Sequence, residues 1–321
     1  MSERLGPPLG APLFDRLALI GVGLIGSSIA RAARRKNLAR VIAIADASAE
    51  ARARAEELKL GDEVFAGAAE AAAGADFVVL CVPVGADEAV ARAIAPQLKP
   101  GAIVSDVGSV KGAVLAAVAP HLPKGVALVP AHPVAGTEQS GPDAGFATLF
   151  VNRWCILTPP DGVDATAVAK VRAFWEALGA NVETMDAAHH DLVLAITSHV
   201  PHLIAYNIVG TASDLEETTR SEVIKFSAGG FRDSTRIAAS DPTMWRDVFL
   251  NNKDAVLEAL GRFTEDLTAL QRMIRRGDGD GLFALFSRTR AIRRAIVELG
   301  QETAAPDFGR PHGEDNGNGG S

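Results

Sequence analysis

The sequence predicts an α/β domain followed by a domain made only of helices. Segments with the patterns of strands and helices alternate up to Thr184, and several strands are apolar throughout, as in parallel sheets that helices cover on both faces. Beyond Met185 the strand pattern stops and amphipathic helices follow. We therefore expect one domain over 16–185 and a second over 186–303.

Composition narrows the class of protein. A chain of 321 residues is long enough for two domains, and its formal net charge of −7 argues against non-specific binding of nucleic acid. No apolar run reaches the roughly 18 residues of a membrane-spanning helix, so we expect a cytoplasmic protein with no membrane partner. Cys81 and Cys155 form no close pair in the sequence, which fits buried thiols in a reducing compartment. The ends, 1–15 and 304–321, are rich in turn-forming residues and are predicted to be disordered.

The first ordered segment has the pattern of a strand-helix-strand unit. Leu17 to Ile20 is an apolar strand, Leu24 to Arg35 a helix and Val41 to Ala45 a second strand. The turn before the helix is Gly21-Val22-Gly23-Leu24-Ile25-Gly26. Its glycines permit a tight turn, close approach of a pyrophosphate and close packing of the helix on the strand, while the helix N-terminus offers amides to phosphate. The unit predicts a Rossmann-type dinucleotide-binding domain.

Asp46 indicates which dinucleotide binds. It ends the second strand 20 residues after Gly26, where a carboxylate would accept hydrogen bonds from the adenosine ribose hydroxyls. A carboxylate there would repel the additional phosphate of NADP, so we expect NAD. Ser48 and Arg52 follow closely and would contribute to a phosphate site if their loop turned inward, so NADP stays open.

The alternation continues with an apolar strand over 76–82, a helix over 85–94 and a strand over 102–106. Val82 and Pro83 close the first of these strands and are candidate cofactor contacts, because ligands bind at the carboxyl ends of parallel strands. Ser109 is expected to be the N-cap of the next helix. Lys111 opposes the helix dipole in the first turn, which predicts an anion nearby, either the substrate or Asp106.

His132 lies between two prolines, after the strand Val126 to Val129. Pro133 biases it toward an extended conformation, so we expect its imidazole on a stiffened loop, at the same sheet edge as Ser109. A histidine that merely ends a strand is the alternative. Further segments, a strand over 155–157, a helix over 165–178 and a strand over 181–183, are expected to complete the sheet.

A long helix is predicted to open the second domain. Asp191, Ser198 and His202 fall on one side of it on a helical wheel, although Pro201 is expected to kink the helix. The histidines of this region, including His190, lack the spacing of a metal-binding helix, and we expect no metal.

A second polar group follows in the segment Gly229-Gly230-Phe231-Arg232-Asp233-Ser234-Thr235-Arg236-Ile237. Asp233 and Arg236 stand three apart, a spacing that commonly gives a surface ion pair. The two glycines ahead of them suggest instead that this turn comes close to a ligand.

Two long amphipathic helices, over Thr243 to Arg275 and Gly281 to Leu299, close the predicted fold. Their apolar stripes offer more surface than the shorter helices before them would cover, so we predict a homodimer built by these C-terminal helices. A self-contained bundle within one chain is the alternative.

Together these motifs resemble the prephenate/arogenate (cyclohexadienyl) dehydrogenase family. The resemblance covers roughly Leu17 to Gly300. It is carried by the glycine turn at 21–26, Asp106-Val107-Gly108-Ser109-Val110-Lys111, His132-Pro133-Val134-Ala135-Gly136-Thr137-Glu138-Gln139-Ser140-Gly141, Ser198-His199-Val200-Pro201-His202 and Gly230-Phe231-Arg232-Asp233-Ser234-Thr235-Arg236-Ile237-Ala238.

The resemblance implies an NAD(P)-dependent oxidative decarboxylation of a small cyclohexadienol, which leads to 4-hydroxyphenylpyruvate or tyrosine. It implies that His132 accepts the hydrogen bond of the substrate hydroxyl and that Ser109 lies between this hydroxyl and the nicotinamide. It also implies that Arg236 binds a substrate carboxylate with Asp233 as its partner. Contacts with the substrate side chain, or gating of the site, are implied for His190, Asp191, His202 and Trp245.

Two other classes of function stay open. One is another two-domain dehydrogenase of the β-hydroxyacid type, although the glycine-rich substrate loop and catalytic lysine of that type are not found in the sequence. The other is a redox sensor that binds NAD(H) without catalysis. Within the resembling family, the motifs do not separate prephenate from arogenate as substrate, and we expect activity on both or on prephenate.

Overall fold

A parallel sheet of six strands forms the first part of the fold. The computed structural model describes residues 5–8, 10–137, 139–219 and 229–298. The strand order is β3-β2-β1-β4-β5-β6. It reverses between β1 and β4, which opens a crevice at the carboxyl ends of these strands. The strands are β1 (Phe14–Ile20), β2 (Ala39–Ala45), β3 (Glu63–Phe65), β4 (Phe77–Leu80), β5 (Ile103–Asp106) and β6 (Ala127–Leu128).

Helices cover both faces of this sheet, which explains why its strands are apolar throughout. Leu17 and Leu19 of β1 belong to one buried cluster, and Ala18 and Ile20 belong to another. The confirmed fold class is therefore α/β, with a Rossmann-type sheet before a helical region. The helices of this part are α1 (Leu24–Lys36), α2 (Ala49–Glu57), α3 (Ala68–Ala72), α4 (Asp87–Ile94) and α5 (Lys111–Val118).

The N-terminal strand begins earlier than predicted. Phe14 is buried and stacks on Phe77 with ring centroids 4.8 Å apart, so β1 starts there rather than at Leu17. Before it, the carbonyl of Pro7 accepts a hydrogen bond from Nζ of Lys36 at 2.6 Å. The segment 1–15, predicted to be disordered, is thus partly ordered. The tail predicted over 304–321 lies outside the described residues.

A second, smaller sheet contains His132. Its strands are β7 (Ala131–Pro133), β8 (Trp154–Leu157) and β9 (Asn181–Thr184), with β7 antiparallel and β9 parallel to β8, and α6 (Ala165–Ala177) joins β8 to β9. The prediction that these segments complete the first sheet is therefore wrong. Pro130 has no amide to continue the ladder, and the amide of Ala131 donates to Asp106 Oδ1 at 3.2 Å, so the chain leaves the large sheet there.

Only helices follow β9 among the described residues. They are α7 (Ala187–Leu194), α8 (Val200–Thr219), α9 (Gly229–Thr235), α10 (Pro242–Asn251), α11 (Lys253–Arg276) and α12 (Gly279–Glu298), with a 3₁₀ turn at Arg236–Ala239. The change from strands to helices falls between Thr184 and Ala187, and the Asp186 side chain caps α7 by accepting from the amide of His189 at 2.8 Å.

A π-helical turn, Ala195–His199, separates α7 from α8. The sequence predicts a kink at Pro201, and the structure has a widened turn just before it. Pro201 cannot donate to the carbonyl four residues earlier, and its ring crowds that carbonyl, so the backbone widens there. The wider turn changes the rotation of α8 relative to α7, which a regular wheel does not include. Asp191 contacts the start of α5, whereas His202 stacks on Trp245.

The helix predicted from Thr243 to Arg275 is in fact two helices that meet at Asn252. Asn252 has φ −111° and ψ 34°, outside the helical region, and its side chain turns inward to the carbonyl of Asp191. Leu299, predicted as the end of the last apolar stripe, lies outside the described residues.

One helical stretch, Ala187–Asp214, is long and apolar enough to cross a membrane when judged by length and composition. It also contains His190 and His199, which are fully buried in the folded chain. Of its most apolar part, 28% is buried within the folded chain.

Candidate active site

The glycine turn between β1 and α1 is shaped to hold a dinucleotide. Gly21 has φ +100°, and a Cβ there would lie 2.5 Å from the carbonyl oxygen of Cys81. A Cβ at Gly26 would lie 2.1 Å from the carbonyl oxygen of Gly21, whereas one at Gly23 would meet no protein atom within 4 Å. The start of α1 has neither a capping side chain nor an acid in its first turn. Its amides and the space above Gly23 therefore fit a pyrophosphate.

The carboxylate of Asp46 is held in place at the end of β2. It accepts hydrogen bonds from the amides of Val22 and Ser48, each at 2.9 Å. Ser48 Oγ accepts from the amide of Ala51 and so caps α2, while Arg52 donates to the backbone carbonyls of residues 46 and 47. Both side chains proposed for a phosphate site are thus engaged locally, and the site fits NAD.

The other predicted cofactor residues border the same crevice. Leu24 and Ile25 are half-buried and pack against one core cluster, and Val82 packs against the cluster on the opposite face of the sheet. Pro83 is exposed directly after Val82. A Cβ on Gly21 would also lie 3.3 Å from Val82 Cγ1, so Val82 is beside the glycine turn.

Lys111 and Asp106 form a fully buried ion pair beneath the site. Lys111 Nζ donates to Asp106 Oδ2 and also, at 2.8 Å, to the carbonyl of Ala131. Of the two anions that the sequence suggested for Lys111, the structure places Asp106 there. Burial and the charge of Asp106 raise the pKa of the nearby Asp87 to about 8. The ion pair between Lys111 and Asp106 therefore holds Ala131, the residue before His132, at the end of β5.

Ser109 is not the N-cap of α5, contrary to the prediction. The helix begins at Lys111, and its cap position, Val110, provides no side-chain hydrogen bond. The carboxylate of Asp191 replaces it by accepting from the amide of Lys111 at 2.8 Å and from that of Gly112 at 2.9 Å. An acidic group at a helix N-terminus satisfies amides that have no intrahelical partner. Ser109 is left half-buried just before this capped turn.

His132 lies on β7, rather than on a loop as predicted, and it is hydrogen-bonded to the helical region. Its Nδ1 is 2.9 Å from Nε2 of His190, and Nδ1 of His190 is 2.8 Å from Asp191 Oδ1. Burial, followed by the charges of His190, Lys111 and His199, lowers the pKa of His132 well below 6.5. Burial also lowers the pKa of His190, against the hydrogen bond with Asp191. Both imidazoles are therefore neutral at neutral pH.

The side chains of His190 and Asp191 are buried, and their hydrogen bonds are made within the chain. His190 is enclosed between His132 and Asp191, and both oxygens of Asp191 accept hydrogen bonds from within the chain. The pattern of α7 could not reveal this, because the partners of these two residues lie far away in the sequence.

A second group of predicted residues surrounds Trp245. The ring of His202 stacks on Trp245 with centroids 3.6 Å apart, and His202 Nδ1 is 2.8 Å from the carbonyl of Ser198. Burial and the charge of Arg236 lower the pKa of His202, against the hydrogen bond with Ser198. Trp245 is buried against Val110, the residue after Ser109. The structure thus brings His202, Trp245 and Arg236 together close to the turn that carries Ser109.

Asp233 lies in α9, one turn before Arg236. Its side chain is mostly exposed and faces the neighbouring Arg232, with Arg232 Nε 3.4 Å from Asp233 Oδ1. Arg236 itself is half-buried.

Two residues of the site were not predicted from the sequence. His199 is fully buried, and its Nδ1 is 3.1 Å from Asn252 Nδ2, which also donates to the carbonyl of Asp191 at 2.8 Å. Burial lowers the pKa of His199 to about 4. The pair Asn251-Asn252 has weak helix propensity, and this was the local signal for a break that brings Asn252 to the site. Over the described parts of the chain, no group of three or more side chains is arranged to hold a metal ion.

Residues 29–184 match the nucleotide-binding domain of prephenate dehydrogenase, and residues 186–288 match its dimerization domain. The chain belongs to the prephenate dehydrogenase family. It is therefore an NAD-dependent oxidoreductase of the kind that carries out oxidative decarboxylation in tyrosine biosynthesis.

Individual dehydrogenases with known sequences or structures are also similar to this chain. A cyclohexadienyl dehydrogenase of Zymomonas mobilis is 45% identical over 284 residues, which are 88% of this chain and 97% of the relative. The crystal structure of prephenate dehydrogenase from Aquifex aeolicus in complex with hydroxyphenyl propionate and NAD+ is 34% identical with a TM-score of 0.82, and the match covers 88% of this chain and 98% of that one. Synechocystis arogenate dehydrogenase is 26% identical with a TM-score of 0.72, over 88% of this chain and 99% of that one.

Proposed function

We propose that this chain oxidises and decarboxylates both prephenate and arogenate, with NAD as cofactor and His132 as the base. The observation that carries the proposal is a neutral imidazole, hydrogen-bonded through Nδ1, on a strand beside the dinucleotide crevice. A general base must be unprotonated before it accepts a proton, and His132 meets that condition at neutral pH. The activities named for the relatives, which include cyclohexadienyl, prephenate and arogenate dehydrogenases, support both substrates.

Three side chains of the protein take part in the reaction: His132, Arg236 and Ser109. His132 accepts the proton of the substrate hydroxyl while hydride leaves the ring carbon that bears this hydroxyl. Bound NAD supplies the hydride acceptor. The bond to the ring carboxylate then breaks, its electrons enter the ring as CO2 departs, and His132 returns its proton to the phenolate oxygen. Arg236 neutralises a substrate carboxylate, and Ser109 orients the hydroxyl toward His132.

The test of this proposal is NADH formation by the purified protein with each substrate and each cofactor. We expect turnover with prephenate and with arogenate, and a preference for NAD over NADP because Asp46 is held at the ribose position. Turnover of a β-hydroxyacid, with neither cyclohexadienol used, would assign the chain to a different reaction. Binding of NADH without any turnover would favour the redox sensor.

Arg236 is expected to contribute mainly to substrate binding. Its half-buried guanidinium can form a bidentate contact with a carboxylate, and removing such a contact usually costs about 2 to 5 kcal/mol, or roughly 30-fold or more in affinity. In steady-state assays of Arg236→Ala, we expect the substrate KM to rise by that factor with little change in NAD affinity. Arg236→Lys should recover little, because an ammonium lacks the planar fork of a guanidinium. An equal loss of NAD affinity would make Arg236 a structural residue.

We also infer a homodimer built by α11 and α12. Apolar side chains of both helices remain exposed in the single chain: Leu257, Phe263, Leu267, Ile274, Phe283, Phe286, Ile292 and Ile296. Phe283 is the most exposed of them at 74%, and so large an uncovered apolar face usually marks an interface. Sedimentation at micromolar concentration should give twice the 33.4 kDa of one chain. A fully active species of single-chain mass would contradict the dimer.

The division into domains and the location of the protein belong to the same proposal. We assign residues 16–185 to the dinucleotide and residues 186–303 to substrate binding and dimer formation, because the strands end at β9. We place the protein in the cytoplasm, which provides NAD. Its reducing environment also suits the free thiols of Cys81 and Cys155.

A further inference from the structure

A chain of hydrogen bonds, called the relay below, runs from α5 through Asp191 and His190 to His132. It begins at the carboxylate of Asp191. The amides of Lys111 and Gly112 donate to its two oxygens, and both amides belong to the rigid first turn of α5. Gly112 leaves the room for this contact, since a Cβ there would lie 3.0 Å from Asp191 Oδ2. The carboxylate is therefore fixed in orientation, and an ionised carboxylate can only accept hydrogen bonds.

The position of Asp191 determines which nitrogen of His190 carries the proton. Nδ1 of His190 is 2.8 Å from Asp191 Oδ1, so Nδ1 must be the donor. A neutral imidazole has one ring proton, which leaves Nε2 of His190 as an acceptor. Because burial lowers the pKa of His190, a second proton on this ring is disfavoured.

The same reasoning applies to His132. Its Nδ1 is 2.9 Å from the unprotonated Nε2 of His190, so the single proton of neutral His132 must lie on Nδ1. We propose that His190 and Asp191 are positioning residues that set the tautomer of His132 and leave its Nε2 as the proton acceptor. This inference rests on the proposed role of His132 as the base, and it identifies which of its nitrogens acts.

The relay also affects His132 after it has accepted the proton. The charged groups around it are Lys111 of α5 and Asp106 of β5. Its other titratable neighbours in the described part of the chain include His190 and Asp191 of α7, His199 of the π turn and the Cys155 thiol of β8. Lys111 is already paired with Asp106, whereas Asp191 is linked to the imidazolium through His190. The negative charge of Asp191 thus stabilises the imidazolium, as the buried aspartate does in a serine-protease triad.

The decisive variant is Asp191→Asn. Its amide group can donate to Nδ1 of His190, which moves the proton of His190 to Nε2 and that of His132 to its own Nε2. His132 then presents an N–H to the substrate in place of a lone pair. We expect kcat to fall by about 10²- to 10⁴-fold with NAD affinity close to wild type. The melting temperature should also fall, because the asparagine NH2 faces a backbone amide of α5 from which the carboxylate accepted a hydrogen bond. His190→Gln should lose a similar factor. His189→Gln, an exposed neighbour on the same helix, is the matched control and should be unchanged.

The ring ¹⁵N spectrum of histidine-labelled wild-type protein tests the inference without any turnover. We expect His132 and His190 each to carry the proton on Nδ1, with their signals assigned from the spectra of the two variants. A proton on Nε2 of His132, or a kcat of Asp191→Asn within about threefold of wild type, would overturn the inference. If neither cyclohexadienol were oxidised, the proposed function would fail, and the spectrum would still decide the tautomer.

Discussion

Replacing His132 by alanine is expected to reduce kcat by about 10²- to 10⁴-fold, the usual contribution of a general base. The variant removes the proton acceptor and leaves Nε2 of His190 without its partner, but the glycine turn and Asp46 are untouched. NAD affinity should therefore stay at the wild-type value when measured by fluorescence titration. His189→Ala provides the matched control, because its side chain is exposed on the neighbouring helix. A His132→Ala enzyme of near-normal rate would remove His132 from the mechanism.

The pH dependence of the wild-type enzyme checks the same residue. The active form is neutral His132, and burial lowers the pKa of this group well below 6.5. An unperturbed histidine would place the acid limb of kcat/KM, which reports the free enzyme, near pH 6.5. The buried site moves that limb to lower pH, so turnover should persist as pH falls through 6.5 and decline only below it.

Lys111→Met is expected to lower the free energy of unfolding by about 3 to 5 kcal/mol, because it leaves Asp106 buried without its cation. The side chain also ties the carbonyl of Ala131 to α5, so the loss should loosen the strand that carries His132. Urea denaturation of wild type and variant gives the difference directly.

Lys99→Met is the matched control for this variant. Lys99 pairs with Asp76 at 2.6 Å near the surface, where an ion pair contributes about 0 to 1 kcal/mol. The double variant Asp106→Asn and Lys111→Met should recover part of the lost stability, since it removes the unpaired charge and keeps an oxygen that can accept from the amide of Ala131. If Lys99→Met and Lys111→Met lowered the free energy of unfolding equally, burial of the Lys111–Asp106 pair would not contribute to its effect on stability.

The features predictable from the sequence are those that depend on neighbouring residues. The glycine turn, Asp46 and the alternation of apolar strands with helices are all local patterns, and the α/β fold class followed from them. Lys111 was also informative, because a cation at a helix N-terminus requires an anion nearby, and Asp106 is only five residues away.

Features that depend on distant partners could not be predicted. Ser109 has the residue type of an N-cap, but Asp191, 80 residues from Lys111, takes that role. The antiparallel neighbour of His132 on β8 comes 24 residues later, so the local pattern indicated a loop rather than a strand. The π turn changes the rotation of α8, and a regular helical wheel has no means of including it.

The cap that Asp191 places on α5 limits how members of this family can be recombined. A chimaera joined at Met185 would take α5 and His132 from one parent and α7 from the other, so the tautomer of the base would depend on residues that were never selected together. A junction beyond His199 keeps α5, Asp191, His190 and His132 from one parent. It still cuts within a continuous helical stretch and separates Asp191 and His199 from Asn252. The segment that must come from one parent to preserve catalysis therefore extends past the last strand, into the first turns of the helical region.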